Sequence, residues 1–359
     1  MAVALVVKEK YGGQQVAWVF LVQTLPAILF SRGLAQLIPE SRQEKFYWIS
    51  QLILAANCLV LCFTQSLPAI YIHLFVAASL KSISTPLFNT LIGRWTSKDN
   101  VDVVFTKVGS IQTATLALAP IAGAWIKIVS SAEILFLVDA LSFVLSVLLL
   151  WDVLRVQRLR TEKVNVKVRD FFATVIKVPQ YVPANLWRAL LLWFGFLLLG
   201  ALINALEFAR FDQLAMNEKM IGYALAGWGV GSLLAFVRKF QISISWSGGL
   251  FFGSLVAFLM VSSIFAVIGI FVLAGWSSSL FSGMLRGQIQ KTVPAGFNAL
   301  PVWAFTNQIT QVINLLAYVG VGLLLNVVGF GVFTIIVILV GLLIQVALIT
   351  PSVLQKNIT

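Results

Sequence analysis

Charge is what this sequence has least of. Only 11% of its 359 residues are Asp, Glu, Lys or Arg, where a soluble domain carries roughly 25%. A chain so poor in charge cannot cover a water-facing surface with polar side chains. That excludes an ordinary soluble enzyme and a disordered polar chain. Cysteine is nearly absent as well: Cys58 and Cys62 are the only two, which excludes a disulfide scaffold. They stand four apart in an apolar run, on one helix face, and read as buried structural thiols. The single histidine, His73, cannot complete a metal site with them. It reads as a satisfied interfacial side chain, with a titrating role as the alternative. Gly-x-x-x-x-Gly-Lys-Ser/Thr and Gly-x-Ser-x-Gly are both missing, so neither an ATP-driven pump nor a serine hydrolase is indicated. No enzyme activity, metal or cofactor is expected.

Apolar sequence is abundant. Hydrophobic residues make up 60% of the chain and the mean hydropathy is +0.96. A hydrocarbon core of about 30 Å needs about 20 apolar residues per helix. Spans of that size fall at 15–37, 47–65, 68–93, 103–127, 132–151, 187–209, 220–237, 247–265, 268–288, 300–326 and 331–350. The expectation is therefore an all-α polytopic membrane protein with about 11 transmembrane helices. These runs are apolar all round, whereas barrel strands alternate over segments of about 10 residues.

The formal charge of +12 is explained by topology. If the loop after the first span is cytoplasmic, 18 Lys and Arg fall on that side and 5 outside. Arg286 and Lys291 are counted in one such inner loop. This bias predicts an outer N-terminus, with the C-terminus and central linker cytoplasmic. A lipid bilayer accounts for the basic residues, and no nucleic-acid partner is implied. The one long polar stretch lies at 152–186. It divides an N-terminal helical half, 1–151 with five spans, from a C-terminal half, 187–359 with six. Within it, 168–178 could form a short interfacial helix.

The halves echo each other. Leu87-Phe88-Asn89-Thr90-Leu91-Ile92-Gly93-Arg94 is answered 193 residues later by Leu280-Phe281-Ser282-Gly283-Met284-Leu285-Arg286-Gly287. Ser110-Ile111-Gln112-Thr113 is answered by Asn307-Gln308-Ile309-Thr310. Two repeats joined by a basic linker are how many transporters are built.

Several motifs then carry a family resemblance. Asp139-Ala140-Leu141-Ser142-Phe143 resembles a sixth-helix pattern of major facilitator exporters, in the branch that includes enterobactin exporters and macrolide efflux pumps. Ala119-Pro120-Ile121-Ala122-Gly123 is similar to the superfamily's Gly-Pro-x-x-Gly fifth-helix motif. Gln290-Lys291-Thr292-Val293-Pro294 resembles the Gln-x-x-Val-Pro that follows the tenth helix. Ala226-Gly227-Trp228-Gly229-Val230-Gly231 resembles the Gly-rich eighth helix. The resemblance covers nearly the whole chain and implies the major facilitator fold of two pseudo-repeats. It also implies a cavity-lining helix ahead of the first span, of which only Met1–Val7 stands here, so a start upstream or a shortened member is expected. The family's Asp-Arg latch after the second helix is missing from Gly33-Leu34-Ala35-Gln36-Leu37-Ile38-Pro39-Glu40-Ser41-Arg42.

Polar groups at membrane depth cost roughly 2.5–3.5 kcal/mol when charged and are functional candidates. Lys81, near the middle of its span, reads as a cavity or pairing group. Asp139 is its only opposite-charge candidate in the same half, and Glu207 precedes Arg210 and Asp212 in the second half. Asp139 and Glu207 are the candidates for proton coupling, with a structural carboxylate and an interfacial ion pair as the respective alternatives. Arg32 reads as a snorkelling or helix-contact residue. Asn307, Gln311 and Asn314 stand at i, i+4 and i+7, which sets three amides on one face. They serve either substrate or interhelical bonding. Asn89, Gln112 and Asn204 are further cavity candidates. Ser277, Ser278 and Ser279 either loosen their helix for gating or simply pack. Pro120 removes a helical hydrogen bond, and Gly123 permits close packing, so a bend is expected there.

The functional expectation is secondary transport by alternating access, with efflux of an amphipathic small molecule and protons as coupling ion, in a bacterial inner membrane. The alternative is a transporter-like scaffold or assembly factor that does not transport.

Overall fold

The computed structural model describes residues 7, 11, 13–64, 66–129, 132–155, 183–237, 242–294 and 297–349. Among the described residues ten α-helices follow in chain order: α1 Gly13–Leu37, α2 Gln43–Phe63, α3 Leu67–Trp95, α4 Val101–Val129 and α5 Ala132–Arg155. Then come α6 Ala184–Gln213, α7 Glu218–Phe236, α8 Ile244–Met260, α9 Ile264–Thr292 and α10 Leu300–Ile349. No strand occurs among the described residues. Eight stretches of described residues are long and apolar enough to cross a membrane. The last helix is two rods, because Gly329 breaks it with φ 76° and ψ 164°. Only glycine adopts such a backbone freely. All eleven expected spans thus have a helical counterpart. Most of the expected linker falls at 156–182 and lies outside the described residues, as does its helix at 168–178.

Local chemistry sets the helix ends. The Asn217 side chain accepts from the Met220 N–H and caps α7, and the Ser243 side chain does the same for Trp246 at the start of α8. Each satisfies a donor that the first turn leaves free. The end of α6 is a Schellman turn. Met216 N–H donates to Phe211 O and Ala215 N–H to Asp212 O, both at 3.0 Å. Phe211 at C3 and Met216 at C″ are both buried, the two positions whose apolar side chains such a turn commonly brings together. The turn holds Ala215 at φ 50°, where a Cβ costs roughly 1–2 kcal/mol. Ala215→Gly is therefore expected to raise the melting temperature of the purified protein by a few degrees. An unchanged or lower value would show that the turn carries no strain.

The chain divides into two compact units. The first comprises Met1–Trp95, Ala119–Tyr181 and Ala295–Val312, and the second Thr96–Leu118, Val182–Pro294 and Ile313–Thr359. Helices α4 and α10 each contribute to both. In the first unit, Leu87, Leu91, Leu300 and Ala304 are fully buried with Ala35 and Tyr47 close to it. A second cluster there joins Leu61, Ile70, Leu74 and Phe136. In the second unit, Phe271 packs against Phe258, Phe211 and Trp228, with ring centroids 5.1, 5.8 and 5.7 Å apart. Large apolar side chains such as Phe265, Leu323 and Leu343 stay exposed, as lipid-facing residues must.

Candidate functional site

The polar residues of the first unit gather where α10 begins. Pro86 lies inside α3. Lacking an N–H, it leaves the carbonyl four residues earlier without its helical donor. That carbonyl belongs to Ser82. Two side chains from other helices supply what is missing. Ser31 Oγ, on α1, donates to Ser82 O at 2.8 Å. Asn307 Nδ2, on α10, donates to the same oxygen at 3.2 Å and lies 3.3 Å from Ser31 Oγ. Beside it, Gln308 Nε2 donates to Ile28 O at 2.6 Å. The amide face of α10 therefore ties α1 and α3 together at a carbonyl freed by proline. Arg32 is buried and lies over the Phe305 ring at 5.3 Å, a helix contact.

An ionic cluster stands in the same unit where the Asp-Arg latch was missing. Arg94 donates to Glu44 at 3.0 Å, Glu40 at 3.1 Å and Gln43 at 2.6 Å. Gln43 Nε2 donates in turn to Asn298 Oδ1 at 3.0 Å, and that oxygen also receives Leu300 N–H. The chain thus ties the same region to the start of α10 with other residues.

The second unit holds a seam between α4 and α9. A Cβ at Gly283 would strike the backbone and side chain of Thr106, and one at Gly287 would strike Asp102. The helices touch backbone to backbone because these two residues are glycine, four apart on one face. Lys291 and Asp102 close the seam as an ion pair at 2.5 Å. A similar approach joins α7 and α9: a Cβ at Gly231 would meet Val272 O, and one at Gly275 would meet Trp228 O. Ser277, Ser278 and Ser279 are buried in an unbroken α9. Ser277 and Ser278 spend their hydroxyls on carbonyls of their own helix, Leu273 and Gly275.

Arg286, which the sequence counts only among inner-side charges, falls inside the expected span 268–288, and α9 continues six residues past it to Thr292. Its Nη1 donates to Gln112 Oε1 at 3.1 Å. Its guanidinium sits 5.4 Å from the Trp193 ring centroid.

Lys81 is exposed and lies 5.9 Å over the Phe143 ring. Phe143 is one helical turn from Asp139, so the two charges approach one face of α5, yet no ion pair joins them among the described residues. Asn89, Gln311 and Asn314 are half-buried and Asn204 is exposed. Glu207 is half-buried, and the interfacial ion pair with Arg210 does not form. Arg210 instead donates to Val261 O at 2.7 Å and Phe258 O at 3.4 Å. These carbonyls, where α8 ends, lack helical donors and outcompete the local carboxylate. His73 and Asn57 bond reciprocally, each side chain to the other's carbonyl at 3.0 Å. Cys58 is buried and Cys62 half-buried, both free. Pro120 and Gly123 lie in the helical backbone of α4, and their side-chain surroundings fall outside the described residues.

A family model described as Major Facilitator Superfamily matches residues 1–300. A solved bacterial homologue of the iron transporter ferroportin, in its outward-facing state, is similar at a TM-score of 0.70 and 16% identity, over 96% of this chain and 92% of that one. An iron-soaked structure of such a homologue gives 0.70 and 19%, with the same coverage. The human organic anion transporter MFSD10 (TETRAN) gives 0.73 and 14%, over 96% of this chain and 87% of that one. These identities speak for the fold alone. No curated protein matches in sequence.

Proposed function

Because the chain belongs to the Major Facilitator Superfamily, a family of all-helical membrane transporters rather than enzymes, we propose that it exports an amphipathic small molecule by alternating access. The moving parts are the sequence halves 1–151 and 187–359, joined by a cytoplasmic linker at 152–186, with the C-terminus also cytoplasmic. The membrane is a bacterial inner membrane. One observation carries this reading: α4 and α10 are each divided between the two compact units. Helices shared in this way are joined to partners from the other sequence half by contacts that a rocking motion makes and breaks. Lys81, Asn89, Gln112, Asn204, Gln311 and Asn314 offer polar groups to a substrate, while Asn307 serves the tie at Ser82 O. Asp139 and Glu207, which form no ion pair among the described residues, are the proton-coupling groups, and Pro120 with Gly123 supplies the bend.

The test is efflux of ethidium and of carboxyfluorescein from cells and everted vesicles containing the full chain, with and without a pH gradient. Expression is expected to accelerate efflux of at least one dye several-fold. Asp139→Asn combined with Glu207→Gln is expected to remove the response to the gradient. Gradient-driven efflux by the double variant would refute the coupling assignment. Failure of every dye, with the protein correctly inserted, would favour the non-transporting scaffold.

A further inference from the structure

Arg286 is a charged side chain with almost nothing to balance it. Its Cα lies six residues from the end of α9, about 9 Å at 1.5 Å per residue. An arginine so near a helix end ordinarily snorkels outward to water. This one runs the other way, along the N-terminal direction that helical side chains take. Its guanidinium reaches Gln112, eleven residues into α4, or about 16 Å from that helix's start. The head group thus sits deep in the helical layer, where charge is expensive.

The surroundings do not neutralise it. Arg286 takes part in no ion pair among the described residues. The nearest carboxylate of the seam, Asp102, is already held by Lys291. Glu207 stands fourteen residues from Trp193 along α6, about 21 Å away. A guanidinium carries five N–H donors, and the described residues engage one of its nitrogens, through Gln112. None of the others is among the buried nitrogens that lack a partner, and Arg286 as a whole is half-buried.

The walls are those of a binding site. Trp193, itself buried, lends its ring face to the guanidinium, which fixes the plane of the fork. On the α4 side stands Gly109, where an added Cβ would lie 3.7 Å from Nη2 and 3.9 Å from Cζ, so the guanidinium packs against α4 at a residue with no side chain. Next to Trp193 the Phe196 ring follows at 5.4 Å, and Phe281 at 5.6 Å beyond it. A planar cation beside an aromatic wall matches a ligand with an oxyanion head and an apolar body.

We propose that Arg286, oriented by Gln112 and Trp193, binds the carboxylate or phosphate-type head of the transported molecule, so that the substrate is an amphipathic organic anion. This deepens the transporter reading above and rests on it. The oxyanion comes from a soluble substrate and not from a lipid headgroup.

The experiment uses the full chain in phosphatidylcholine nanodiscs and proteoliposomes, with 1-naphthoate and its uncharged relative 1-naphthamide as probes. Binding is read by calorimetry and flux by filtration. Naphthoate is expected to bind at least tenfold more tightly than naphthamide. Arg286→Gln is expected to reduce that ratio to below twofold. Arg286→Lys, which keeps the charge but not the fork, is expected to keep a preference of intermediate size. An equal preference in wild type and Arg286→Gln would overturn the proposal, and so would tighter binding of the amide. Should Arg286→Gln fail to fold, a preference reduced below that of wild type in both Arg286→Lys and Gln112→Leu supports the site, and an undiminished preference in both refutes it. Replacing half of the lipid with phosphatidylglycerol separates the sources: lipid that displaces naphthoate from wild type would reassign the site to a headgroup and overturn the substrate claim. Flux of naphthamide or ethidium without naphthoate binding sinks the anion site and leaves transport standing. Naphthoate binding without flux of any probe sinks transport instead.

Discussion

Gly283→Leu is expected to reduce transport at least a hundredfold while the helix content stays that of the wild type. The reason is the geometry of the α4–α9 seam. A Cβ at Gly283 coincides with the Thr106 backbone and side chain, and one at Gly287 with Asp102. Backbone cannot step aside as a flexible side chain can. The seam must open to admit a leucine, and its Lys291–Asp102 pair is then pulled apart. Overpacking of this kind costs typically 1–3 kcal/mol where the surroundings relax. Here relaxation is the separation of α4 from α9, helices of opposite sequence halves, and a protein that cycles between open and closed seams would lose the closed one. Circular dichroism and thermal unfolding in detergent check that the helices persist, and efflux rate measures the function. Gly287→Ala is the milder companion, expected to lose activity in part. Wild-type efflux by Gly283→Leu would show that the seam has no part in the cycle.

That seam also shows where sequence reading stops. The eleven apolar spans were legible because burial in lipid needs only a run of about 20 apolar residues, and every run has its helix. Gly283 and Gly287 fall inside the expected span 268–288, yet nothing in their spacing names Thr106 and Asp102 as what they meet. The two echoed segments also end differently. Arg94 is the penultimate residue of α3, whereas α9 runs on past Arg286 to Thr292. Conversely, Arg210 and Glu207 stand at the spacing of a helical ion pair, yet carbonyls some fifty residues away claim the arginine. Local spacing reports which groups are able to meet. It does not report a better partner brought up by the fold.

The amide face of α10 illustrates the same limit and supplies the second large effect. The i, i+4, i+7 spacing identified Asn307 as facing inward, but its acceptor lies 225 residues away. That acceptor exists only because Pro86 withholds an N–H from Ser82 O. Asn307→Leu is expected to weaken the tie between α10 and α3 and to shift the balance of access states about threefold to tenfold. This is the weight of one membrane-embedded hydrogen bond of roughly 0.6–1.5 kcal/mol. Pro86→Ala reaches the same oxygen from the other side. It restores the helical donor, and a carbonyl with two lone pairs then has three suitors: Ala at position 86, Ser31 and Asn307. The substitution is expected to straighten α3 and to release Asn307 even though Asn307 is untouched. The two variants therefore act on one bond, and a double-mutant cycle should find them strongly non-additive, with a coupling of at least 0.5 kcal/mol. Unfolding in detergent measures the energies, and efflux rates measure the access balance. Additive effects would show that Pro86 and Asn307 act independently, and the tie through the Ser82 carbonyl would have to be given up.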